Sequence, residues 1–272
     1  MKSKQLKAHQ IIQNNLKAQR ESGAEPKKLL PLFTANNPKI LKSLKKGFVT
    51  IGLSLAPEEL NGIVNFCESA TPQCIKGCIN KSGRGAMDLA QRARIRKSTE
   101  LINDPISFFY QLINEIGKHK RKADRDGYQL VIRLNVYSDI RWEEIIIDQG
   151  LNIFEIFPDL TFYDYTKHDL ESRKIPSNYD LTFSYTGYNR KKAERALSLG
   201  KRIAVVFNHK RISMPESFLS APALSGDDHD LTFIHPQGIA LMLTVKGSAV
   251  KEDNSPFILG SYPNGGSYGS AL

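Results

Sequence analysis

Apolar and polar positions alternate most clearly in the middle of the chain. In "GFVTIGL" the residues Val49, Ile51 and Leu53 stand two apart, the period of a half-buried strand, and Pro57 ends the run. Further on, "YQLVIRLNV", "LTFYDYT", "YDLTFSYT", "KRIAVVF" and "GIALMLTV" are short runs rich in β-branched and aromatic residues, and each reads as a strand. Between them the period changes. "GAMDLAQRARIRKSTELI" reads as a helix, and "NDPISFFYQLINEIGKHKRKA" as another, with Asp104 as cap, Pro105 in the first turn and an apolar stripe of Phe109, Leu112, Ile113 and Ile116. "RWEEIIIDQGLNIFEIF" and "NRKKAERALSLG" add two more helical stretches, the second closed by Gly200. Strands separated by helical segments predict parallel β with crossover helices. The expected fold class is α/β, a complete or partial parallel (β/α) barrel with its site at the C-terminal ends of the strands.

Charge changes the picture at the N-terminal end. Residues 1–50 carry eleven Lys or Arg against Glu21 and Glu25, so they hold +9 of the net +10 of the 272-residue chain. Residues 1–22 make at most a short polar helix before "ESGAEPKK" breaks it. Residues 1–33 therefore read as a basic, partly disordered N-terminal arm, either solvated or seeking nucleic-acid phosphates with salt-sensitive affinity. Residues 34–254 form the α/β domain, and 255–272, in the Gly- and Ser-rich end of the chain, a flexible tail. A chain of this length buries a core without covalent staples. No run of about 18 apolar residues predicts a membrane span, and no apolar leader with a cleavage site follows Met1. A reduced, cytoplasmic setting is expected.

All three cysteines fall in "NFCESATPQCIKGCINKSGRG": Cys67, Cys74 and Cys78, spaced C-x6-C-x3-C directly after the first strand. Clustered thiolates hold zinc, Cu(I) or iron–sulfur clusters. This spacing is not that of a zinc finger, and a tetrahedral zinc would need a distant fourth ligand such as His229 or His235. Three cysteines with no nearby fourth are what an iron–sulfur cluster with one open iron requires. The bland alternative is three buried thiols acting as small hydrophobes.

Other polar groups follow strand candidates. Ser138 and Asp139 come after "RLNV", where Asp139 either binds a substrate amine, acts as a base, or caps the next helix. Asp164 and Lys167 in "FYDYTK" are a polar pair facing substrate or a surface ion pair. "SGDDHDLTF" groups Asp227, Asp228, His229 and Asp230 as an acid–base or hard-metal set, or as an ordinary Asp-rich turn. Asn178 and Ser184, from "PSNYDLTFS", line the same mouth. Near the cysteines, Lys81, Arg84, Arg92, Arg94, Arg96 and Lys97 form a basic cluster. Arg92 and Arg96 project from one helical face, suited to clamping a phosphate-bearing ligand or nucleic acid.

Several long motifs, taken in order, resemble a bacteriophage and prophage family typified by mycobacteriophage gene product 88. They are the cysteine loop with Gly83-Arg84-Gly85, "RLNVYSDIRWE", "FPDLTFYDYTK", "PSNYDLTFSYT", "GKRIAVVF" and "SGDDHDLTFIHPQGIALMLTVKGSA". This resemblance implies relatives and a bacterial host, not a reaction. More remotely, a cysteine loop after the first strand and strands ending in Ser-Asp, Tyr-Thr-Lys and Ser are similar to radical-SAM-like barrels. There three cysteines bind a cluster and the open iron takes S-adenosylmethionine. That superfamily's usual spacing is C-x3-C-x2-C, whereas here Lys81 stands where the third cysteine would fall.

The expected protein uses an iron–sulfur cluster or zinc held by Cys67, Cys74 and Cys78 and modifies nucleic acid or a nucleotide. Asp139, Asp227, Asp228 and His229 are the expected catalytic groups. Arg84, Arg92, Ser138, Asp164, Lys167, Asn178 and Ser184 are expected at the substrate. One alternative is a base-exchange transglycosylase with a structural zinc. Another is a DNA-binding accessory protein in which the metal only folds the loop.

Overall fold

Alternating patterns become nine strands in the computed structural model, which describes residues 6–34, 42–246 and 256–260. They are β1 (Phe33–Thr34), β2 (Phe48–Leu53), β3 (Gln129–Arg133), β4 (Thr161–Thr166), β5 (Tyr179–Ser184), β6 (Ile203–Phe207), β7 (Ser217–Phe218), β8 (Ala221–Ser225) and β9 (Ala240–Thr244). They form one sheet in the order β1-β2-β3-β4-β5-β6-β9-β8-β7. Pairing is parallel from β2 across to β8, and antiparallel only where β1 and β7 join the two edges. The molecule is thus mixed α/β with a mostly parallel sheet. Among the described residues no pairing joins the two outer strands.

Helices flank this sheet: α1 (Ala8–Glu21), α2 (Pro72–Lys76), α3 (Asp88–Asn103), α4 (Pro105–Arg125), α5 (Ile153–Ile156) and α6 (Arg190–Ser198). Local chemistry sets their ends. The Asp104 side chain accepts from Ser107 N at the start of α4, and Gly200, at φ 70°, turns the chain from α6 into β6. Phe108, Phe109, Leu112 and Ile116 form the buried face of α4, in one core with Trp142 and Phe162.

Three segments differ from the sequence reading. Residues 145–151 are not helical: Ile145 and Ile147 are buried while Ile146 is exposed, a period of two. Three consecutive β-branched residues favour extended backbone. The chain then turns at Gln149 and Gly150, both at positive φ, and only the single turn α5 follows, held by a reciprocal Asn152–Glu155 cap. The described part of the arm is docked. Ala8, Ile12 and Leu16, four apart on α1, are buried in the core. Gln19 donates to Asn103 O and accepts from Ile106 N, bridging the end of α3 to the start of α4. Residues 1–5 lie outside the described residues. The tail is also packed where it is described. Leu259 exchanges backbone bonds with Val206 and Asn208 beside β6, and Ile258 is fully buried. Residues 261–272 lie outside the description.

Candidate functional site

Loops leaving the C-terminal ends of the parallel strands enclose a cavity of about 440 Å³. Its wall carries all three cysteines, together with Ser138, Asp139, Lys167, Ser184, Asp227 and His229. Each arrives by a local device. Asn65 turns the chain into the cysteine loop by accepting from Cys67 N, and Thr71 caps α2 by accepting from Cys74 N. Cys78 precedes a 3-10 turn at Ile79–Lys81. Burial pushes the Cys67 thiol up to about 12 and raises Cys78, and the charges of neighbouring thiols act in the same direction.

Asp139 faces the cysteines from the loop after β3. It is nine-tenths buried: Oδ2 accepts from Lys167 N at 2.8 Å, and Oδ1 has no hydrogen-bond partner. Its carbonyl accepts from His168 Nε2, which leaves His168 Nδ1 to accept from the Ser69 hydroxyl. Lys167 sits among the thiols. Burial opposes its charge, yet Cys74, Asp139 and Cys67 hold the ammonium above the ordinary lysine range.

Ser138 lines the same wall but is committed inward, donating to Asn135 Oδ1, an acceptor shared with Ile140 N and Trp142 Nε1. On the opposite side, burial would raise Asp227. The Thr244 N–H and Lys246 instead hold it below the usual carboxylate range, with Nζ 3.2 Å from Oδ1. His229 stands 4.7 Å from the His235 ring, and burial lowers both below the ordinary histidine range.

Four expected residues stand elsewhere. Asp164 is fully buried on β4 behind the cavity, accepting from Leu134 N, Asn135 N and Tyr179 Oη. Strand alternation separates it from Lys167: Tyr163, Tyr165 and Lys167 share one face, and Asp164 belongs to the other. Asn178 precedes β5, at the opposite end of the sheet, where Nδ2 serves the carbonyls of Phe154, Phe157 and Leu160. Arg92 points to solvent and pairs with Asp88. Asp228 is exposed and does not line the cavity. Arg84 stands in the 3-10 turn Gly83–Ala86, and its side chain lies outside the description.

Sequence reasoning missed Arg133, Tyr137, Tyr165, Lys42, Lys246 and Phe257 on the wall. Arg133 ends β3, pairs with Asp230 at 2.5 Å and lies over the rings of Tyr163 and Tyr165. Its arginine-inside-a-strand position was the available signal.

The donor chemistry on the cysteine wall suits a thiolate-held group, since three sulfurs from one loop share it. Among the described residues, however, no three His, Cys, Asp or Glu side chains are grouped as a metal ion would require. A single tetrahedral ion, with metal–sulfur bonds of about 2.3 Å, fits only if the loop draws in.

Fold and site together define an α/β protein with a thiol- and carboxylate-lined cavity at the carboxyl edge of a mostly parallel sheet. The chain belongs to the Gene product 88 family, whose family model matches residues 13–259. That is the bacteriophage family its motifs resemble. No curated protein and no solved structure matches it, so the likeness to radical-SAM barrels has no match behind it. No helix among the described residues is long and apolar enough to cross a membrane.

Proposed function

We propose that the protein is an enzyme that modifies a nucleotide or nucleic acid with a metal group, most simply an iron–sulfur cluster, held by Cys67, Cys74 and Cys78. The observation carrying this reading is that all three thiols line one cavity with Asp139, whose Oδ1 is buried there without a partner. Such an oxygen carries a desolvation cost that a donor on a ligand would offset. A cluster is preferred to a single zinc ion because three cysteines would ligate three of its irons and leave the fourth open, whereas a tetrahedral zinc would need a fourth ligand. Held there by Cys67, Cys74 and Cys78, such a group would supply an open iron for substrate or cofactor. The chain's own residues do the rest: Asp139 accepts a hydrogen bond or proton from the bound molecule, and Lys167 balances thiolate charge.

The sheet supports a partial-barrel reading. Strands β2 to β6 are parallel neighbours in chain order, and Arg133–Asp230 and Lys42–Asp227 contacts span the mouth between its two sides.

Protein purified without oxygen is expected to show broad visible absorption with stoichiometric iron and sulfide. Cys67→Ala, Cys74→Ala and Cys78→Ala should each lower that content, whereas Asp139→Asn should keep it. Metal-free protein with no visible absorption, or three single variants that retain full metal, would overturn the proposal. Asp139 also supports a second reading, a base-exchange transglycosylase with this carboxylate as nucleophile. Zinc in place of iron, with a covalent adduct on Asp139, would favour it.

A further inference from the structure

Beside the main cavity lies a second one, of about 330 Å³, between β2, α3 and the end of β3. It shares Arg133, Tyr137 and Asp230 with the first, so the two are neighbours through one wall. Helix α3 faces it with Ala90, Ala93, Arg94 and Lys97, a stripe at helical spacing. Two alanines leave room, and two cations fill the face.

Both cations are buried, Arg94 to 5 % exposure and Lys97 to 4 %. Arg94 is fixed over the Tyr137 ring at 4.2 Å and by bonds from Nη1 to Asn80 Oδ1 and Gly85 O. Lys97 donates to the Leu32 carbonyl at 3.1 Å, and no ion pair to it is found among the described residues. An ammonium has three donors, so this neutral acceptor leaves capacity unused. Nearby carboxylates are engaged: Glu100 pairs with Arg96, and Glu115 accepts from Leu32 N and Phe33 N. Burial, then Arg96 and Arg94 close by, lower Lys97 to about 8 against the opposing pull of Glu115 and Glu100, so burial outweighs the carboxylates nearby.

Three cations therefore line this cavity against the single carboxylate of Asp230, which is already paired with Arg133. Hydroxyls of Thr50, Ser54 and Tyr163 also line it. Fixed cations with hydroxyls around them match the several oxygens of a phosphate better than the two of a carboxylate.

We propose that this second cavity is an anion subsite that takes a phosphate group of the ligand bound in the main cavity, held by Arg94 and Lys97. It deepens the nucleotide reading and rests on it for the ligand's identity, whereas phosphate binding itself needs no metal. Both cavities are of small-molecule size, so a nucleotide is the unit they accommodate.

The test is calorimetric titration of the metal-free full chain with inorganic phosphate, a nucleoside 5′-monophosphate and the corresponding nucleoside. Phosphate and the monophosphate should bind saturably, and the nucleoside more weakly by roughly tenfold or more, the worth of one charge-assisted hydrogen bond. Lys97→Met should weaken phosphate binding by a similar factor and leave the unfolding midpoint unchanged or higher. Ala93→Glu puts a negative charge on the same helical face without removing a contact, and should abolish binding even if Lys97→Met does not fold. Unchanged phosphate affinity in Ala93→Glu, or no saturable phosphate binding by the wild type, overturns the subsite. Phosphate binding without the monophosphate preference keeps the subsite but overturns its nucleotide assignment. The metal proposal fails separately, on iron content.

Discussion

Asp164 shows how one buried carboxylate organises a loop. It accepts from the backbone N–H groups of Leu134 and Asn135, and Asn135 in turn gathers Ser138, Ile140 and Trp142. The course of the loop carrying Asp139 is thereby fixed from below. Burial pushes Asp164 from 3.8 up to about 7, against the pull of Arg133 and its three hydrogen-bond donors. Between those values the native state holds a proton that the unfolded chain has released, so this residue's contribution to stability rises as pH falls from 7 towards 4 and is lost on the way back up. Asp164→Asn cannot titrate. Urea unfolding across this range should show the wild type gaining on the variant as pH falls, by up to roughly 4 kcal/mol for a shift of about three units. The absence of a slope across this range would mean that the hydrogen bonds and Arg133 keep the carboxylate ionised.

At the scale of elements, α1 is part of the core. Its charged positions are solvated, Lys17 for instance lying 3.8 Å from Glu21 in an exposed pair, whereas Ile12 and Leu16 are buried against the helical layer. Leu16→Ala should cost about 2–5 kcal/mol of stability, as other large-to-small core changes do. Lys17→Ala should stay within about 0.5 kcal/mol of wild type. Equal effects would show that the helix does not dock in solution. A second element-level brace is the buried pair of Arg173 with Glu143, which ties the Trp142–Glu144 turn to the chain after β4. Arg173→Met alone should destabilise by about 3–5 kcal/mol, since Glu143 is left buried and unpaired, and adding Glu143→Leu should recover part of the loss. Thermal unfolding of the single and double variants checks this.

On the scale of the whole molecule, the described C-terminal segment, residues 256–260, forms part of the wall of the site. Phe257 lines the main cavity, and Phe257 and Ile258 pack with Val245 against Cys74. A chain stopped before Pro256 loses three buried apolar side chains, each worth about 1.5–3 kcal/mol. It should melt at a lower temperature, and Cys74 should react faster with iodoacetamide in the metal-free protein. Unchanged reactivity together with an unchanged midpoint would place this segment away from the cysteine loop.

Local pattern determined much of this protein. Strands β2 to β6 and β9, helices α3, α4 and α6, and the capping roles of Asp104 and Gly200 were legible, because periodicity and turn chemistry act over a few residues. So was the candidate wall of Cys67, Cys74, Cys78, Asp139, Lys167 and Asp227, because polar groups just past apolar runs fall at strand ends. Tertiary packing decided the rest. The isoleucine run 145–147 became extended, and the arm's apolar stripe found a partner in α3 and α4 despite its net charge. Asn178 went to the wrong end of the sheet for a mouth residue, since it precedes its strand. Only the packed sheet could turn Arg94 and Lys97 into a cavity while leaving Arg92 in solvent. A helix offers every side chain equally to its surroundings, and what lies opposite each face is fixed by segments far away in the chain.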